Sequence, residues 1–180
     1  MLRIIIAIIS LTIGYGNEYT IKAGEITYYG YHFLHDWQGK SSQINGNFTF
    51  DSSLENFNGF ISIPVRSFDS GNTNRDSNML VYCRGIKFPN IIFRPKKIIR
   101  EDRLVTINGM LEFAGEVQDL TTNVNIKATS DSSFLAEGKF DIFLSKFDID
   151  RPSLLFAKID DRISIEFVII GGEKWIDVTF

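Results

Sequence analysis

Ile163-Ser164-Ile165-Glu166-Phe167-Val168-Ile169 sets four large apolar side chains at every second position, with a hydroxyl, a carboxylate and one valine between them. Successive side chains of a strand point to opposite faces, so this period of two predicts a half-buried strand; a helix would scatter the same residues around its circumference. The pattern recurs upstream. Phe140, Ile142 and Leu144 alternate with Asp141 and Phe143, and Val124 and Ile126 alternate with Asn123 and Asn125. Val105 and Ile107, then Leu111 and Phe113, flank Asn108-Gly109, which reads either as a hairpin turn or as a bulge inside one long strand. Ile61, Ile63 and Val65 follow Asn58-Gly59, and Phe48 and Phe50 follow Asn45-Gly46, two pairs that read as turn signals. Regular strands separated by turns predict an all-β, antiparallel sandwich or barrel.

One stretch breaks the rhythm. In residues 74–84, Asn74 or Asp76 supplies a cap, Met79, Leu80, Tyr82 and Cys83 gather on one side, and Gly85 ends the element. One short helix is expected there, covering one end of the barrel. A second short turn is expected from Pro152 to Phe156.

The chain has 180 residues, the size of one ordinary domain, and 44% of them are hydrophobic, enough for a sizeable core. A net charge of −3 with scattered basic residues gives no footprint for a phosphate backbone, so nucleic acid is not expected as a partner. Cys83 is the only cysteine, which excludes an intramolecular disulfide and leaves stability to packing. At the N-terminus, Arg3 is followed by the apolar run Ile4 to Ile13 and by Gly14-Tyr15-Gly16-Asn17. That order predicts a secretory signal over residues 1–16, cleaved after Gly16, a single domain over residues 17–180, and a periplasmic or secreted protein. The run is too short to span a bilayer comfortably.

Chemistry-bearing residues are few. His32-x-x-His35-Asp36 resembles a ligand set, but histidines three apart on a strand face opposite sides, so no metal is expected. Cys83 has no activating base beside it and reads as a buried structural thiol. No phosphate loop, serine elbow or useful carboxylate pair stands out, and the chain reads as a non-enzyme with no cofactor. Trp175 to Phe180 alternate and end in an aromatic, as an outer-membrane barrel's last strand does; charge and proline at Pro64, Arg66, Arg94 and Pro95 argue against a membrane-embedded barrel.

Four segments, in order, resemble the YceI-like family of exported lipid-binding proteins. They are His35-Asp36-Trp37-Gln38-Gly39 with Gly46-Asn47-Phe48, Ser67-Phe68-Asp69-Ser70 with Asn74-Arg75-Asp76-Ser77-Asn78-Met79, Phe88-Pro89-Asn90-Ile91-Ile92-Phe93, and Arg151-Pro152-Ser153-Leu154-Leu155. The likeness covers about Glu25 to Ile170. Asn78 stands where the family usually has His, and Gly115-Glu116-Val117-Gln118-Asp119 replaces its usual G-V-T-K-P turn.

The resemblance implies an eight-stranded, lipocalin-like antiparallel barrel whose tunnel holds a polyisoprenoid or similar lipid. Residue patterning alone leaves open whether the interior is filled or holds a ligand. If it is open, the expected lining is Ile61, Ile63 and Val65; Val105, Ile107, Leu111 and Phe113; Phe140, Ile142 and Leu144; and Ile163, Ile165 and Phe167. His35, Arg75 and Arg151 are the candidates for a polar head group. The expected partner is thus an apolar small molecule, with a homodimer left open. Two other readings compete: a filled barrel acting through its surface in an envelope stress response, and an enzyme needing a titratable pair that faces the cavity.

Overall fold

The computed structural model describes residues 17–50, 57–101, 104–130, 133–154 and 156–173. Its strands are β1 (Asn17–Gly30), β2 (Trp37–Ser41), β3 (Asn45–Phe50), β4 (Phe57–Pro64), β5 (Asn90–Glu101), β6 (Leu104–Phe113), β7 (Glu116–Ser130), β8 (Ser133–Phe143), β9 (Ser153–Leu154), β10 (Ala157–Lys158) and β11 (Arg162–Glu173). The predicted signal, residues 1–16, and the alternating tail from Trp175 lie outside the described residues.

β3 through β8 form an antiparallel meander, and β11 adds to β8. β1 closes the circle, pairing along one edge with β11, where Ile26 meets Phe167 and Tyr28 meets Ile165. Its other edge carries two strands in turn: Ile26 to Gly30 pair with β2, and Asn17 to Thr20 with β3. β2 and β3 thus act as one interrupted stave, and the sheet is a closed eight-stranded antiparallel barrel. Closure removes the free edges that would otherwise recruit other chains.

Three Asn-Gly pairs read differently in three dimensions. Asn45-Gly46 opens β3, and Asn58-Gly59 lies inside β4, paired with Thr49 and Phe48. Gly59 is there for space, since a Cβ would collide with the Asn47 carbonyl and the Phe48 side chain. Asn108-Gly109 is no hairpin either. β6 runs straight through it, and the irregularity lies in the partner strand, where Pro95 pairs with Gly109 and Lys97 with Asn108, leaving Lys96 unpaired. That extra residue shifts the alternation of β5, so that Ile91, Phe93 and Pro95, then Ile98 and Arg100, all face inward. A similar shift between Ile21 and Ala23 turns β1.

The helix α1 spans Thr73–Tyr82. Its cap is Asn72, whose Oδ1 accepts from the Arg75 N–H at 3.1 Å, and neither Asn74 nor Asp76 takes that role. Asp76 instead accepts the Ser70 N–H at 3.1 Å, steadying the loop that enters the helix. The left-handed residue after the helix is Arg84 (φ 54°), not Gly85. Arg84 is held there by its Nη2 donating to the Phe147 carbonyl at 2.9 Å, while Gly85 makes room for Leu80 and Val65. The expected second turn is the β9–β10 hairpin. Solid packing concentrates at the α1 end, around Val65, Ala114 and Phe147, the last edge-tilted against Phe113 at 5.5 Å.

Candidate functional site

The inward faces of these strands do not meet. They enclose a cavity of about 980 Å³ whose lining extends from α1 to the opposite rim at Tyr19, Arg100, Ser133 and Phe134. Small-molecule sites commonly measure about 300 to 1,000 Å³, so the tunnel is at the roomy end. A filled barrel is thereby excluded as a description of the interior.

β4 contributes Ile61 and Ile63, followed by Val65; β6 contributes Val105, Ile107, Leu111 and Phe113; β8 contributes Phe140 and Ile142, with Leu144 just beyond; β11 contributes Ile163, Ile165 and Phe167. All of these line the cavity. So do residues that the sequence reading passed over: Leu120, Thr122, Val124 and Ile126 of β7, the inward set of β5, Ile26 and Tyr28 of β1, and Met79, Tyr82 and Cys83 at the helix. In β7 the signal was visible as the Val124 and Ile126 alternation. In β5 it was masked twice, by apolar residues on both faces at Ile91-Ile92 and by the bulge at Lys96.

Polar groups collect at the α1 mouth. His35 and Arg75 both line it, with Asn72, Asn74 and Asn78 beside them. The Arg75 guanidinium lies over the Trp37 ring, 5.6 Å from its centroid, and Nη1 donates to the Ser70 carbonyl at 3.4 Å. The segment from His32 to His35 is a tight turn just past the end of β1, closed by the His35 N–H on the His32 carbonyl at 3.0 Å, so the two histidines do not lie on a strand. His32 is buried, its Nδ1 accepting from the Leu34 N–H and its Nε2 facing the Ala157 carbonyl, both at 3.3 Å. Those contacts fix the Nε2–H tautomer and occupy both ring nitrogens. Arg151 does not reach the cavity. Its guanidinium donates to the Ile159 carbonyl at 3.3 Å and lies 4.0 Å from Asp161, tying the β9–β10 hairpin to the base of β11.

Two groups on the lining hold their protons strongly. Burial, followed by the Asp76 carboxylate, pushes the Tyr28 phenol up to about 12, against the pull of Arg75 and a hydrogen bond with Ser70. Burial likewise pushes the Cys83 thiol up to about 12. Neither is poised as a nucleophile or base near neutral pH. Between the polar groups at its two ends the wall is aliphatic and aromatic apart from Thr122, able to bury a long apolar chain and to meet a polar head at an end.

The sequence matches the model of the YceI-like domain over residues 19–170. No curated protein matches the chain by sequence. Among solved structures the chain is similar to BcnA of Burkholderia cenocepacia, with a TM-score of 0.72 and 16% identity over 82% of this chain and 95% of that one. It is similar too to a polyisoprenoid-binding domain from Saccharophagus degradans, implicated in plant cell wall breakdown, with a TM-score of 0.71 and 12% identity over 87% and 98% of the two chains. A YceI protein of Campylobacter jejuni matches with a TM-score of 0.63 and 17% identity over 77% and 85%. At these identities the structures speak for the fold.

Proposed function

The chain belongs to the YceI-like family, and from that membership and its open interior we propose that it is an exported, non-enzymatic carrier that holds an isoprenoid or similar long apolar lipid. The observation that carries the reading is the cavity of about 980 Å³ with an almost wholly apolar wall. Burying ten methylene equivalents there is worth on the order of 8 kcal/mol before the costs of association, and since micromolar binding takes about 8 kcal/mol net, the tunnel favours chains well beyond ten carbons. A structural neighbour described as polyisoprenoid-binding supports the same class of ligand. Among the described residues no carboxylate lines the tunnel, so an acid–base pair of the kind a lipid-modifying enzyme needs has no support there. The test is direct. Native protein extracted with organic solvent yields a long-chain lipid by mass spectrometry, and stripped protein takes up added isoprenoid; failure of both overturns the reading.

A further inference from the structure

The charged side chains that line the tunnel are Arg75 at the α1 mouth and Arg100 at the opposite rim, and among the described residues no Asp or Glu joins them. The chain as a whole carries −3. Its acids lie outside, where Glu25, Glu112 and Glu137 each pair with Lys40, Arg94 or Lys127 at 2.8 to 3.1 Å. The Asp76 carboxylate lies just behind the wall at the α1 end, near Tyr28, and the charged side chains on the lining itself are thus both cationic in a molecule of net negative charge. Between low-dielectric walls such a charge is screened less than at an open surface.

Arg75 is the better placed of the two, being half-buried where Arg100 is exposed. Its position is fixed by the Trp37 ring on one side and by a single long hydrogen bond, 3.4 Å, to the Ser70 carbonyl on the other. The nearest acid in sequence, Asp76, is engaged with the Ser70 N–H. A guanidinium has five N–H donors in a fork that matches the oxygens of a carboxylate or phosphate, so most of what Arg75 can give is not used by the protein. Asn72, Asn74, Asn78 and His35 offer further hydrogen bonds at the same mouth.

We propose that the tunnel selects an acidic amphiphile, with an anionic head, carboxylate or phosphate, on Arg75 and the hydrocarbon chain laid inward along the apolar wall. This rests on the carrier reading above and adds the charge of the ligand to it. The test is equilibrium binding of oleic acid, oleyl phosphate and oleyl alcohol to the stripped full chain at pH 7.5. One or both anions bind about tenfold or more tightly than the alcohol, a charge-assisted contact being roughly twice as strong as a neutral one, and whichever anion gains identifies the head group. In Arg75→Met the ratio of anion to alcohol affinity collapses, while Arg75→Lys, which keeps the charge but not the fork, retains part of it. Equal affinities for all three ligands, or a preference that survives in Arg75→Met, overturns the proposal and leaves the carrier reading intact. Failure of all three to bind overturns the proposal, and the carrier reading falls with it only if the stripped protein also takes up no isoprenoid and the native protein yields no lipid.

Discussion

Cys83 and Tyr28 both line the tunnel, and burial lifts both to a pKa of about 12. Each holds its proton more tightly in the folded chain than unfolded, from ordinary values of 9.0 and 10.0. The stability they contribute is thus complete below about pH 9 and is lost as pH climbs toward 12. Urea unfolding followed from pH 8 to pH 11 shows this fall, and Cys83→Ala makes it shallower. At pH 8 the native thiol resists iodoacetamide, whereas the urea-unfolded chain alkylates at the rate of an ordinary cysteine. The burial of Cys83 was legible from its place on the apolar side of the helix. Arg151 shows the opposite case. Nothing in its sequence neighbourhood distinguishes an arginine at a tunnel mouth from one that ties a hairpin to a strand, because Asp161 and Ile159 become its partners only after the chain turns back.

At the scale of elements, alternation was readable wherever one face of a strand is polar, as in β11 and β8, and ambiguous where both faces are apolar or a bulge intervenes. β5 is the instructive strand. Pro95 and Lys97 pair with the consecutive residues Gly109 and Asn108, so removing Lys96 would join them in a regular ladder in which Ile98 and Arg100 keep their inward places and Lys97 through Glu101 their partners. A Lys96 deletion therefore moves the urea midpoint little, as does Lys96→Ala, and a marked fall with the deletion alone would show that the bulge itself is required. The Asn-Gly pairs misled because the same glycine that permits a tight turn also permits two backbones to approach inside a sheet. At α1, Asn72→Ala removes the acceptor for the Arg75 N–H and costs about 1 kcal/mol. Asn74→Ala, which removes no cap, costs less in the same denaturation experiment.

For the molecule as a whole, a hollow interior was beyond what patterning could reveal, since the same inward residues would serve a solid core. An open lumen responds differently to added bulk. Ala136 lines the wall midway along β8, and Ala136→Phe projects into free volume instead of overpacking. Its stability therefore changes by less than about 1 kcal/mol, below the usual cost of overpacking, whereas lipid carried per molecule drops severalfold by extraction and mass spectrometry. The way the barrel closes also sets a clock. Tyr19 of β1 pairs with Glu173 of β11, and at a synthesis rate of about 5 to 20 residues per second the second arrives roughly 10 to 30 seconds after the first. Until then β1 lacks its last neighbour, and the barrel cannot close on the ribosome before nearly the whole chain has been made.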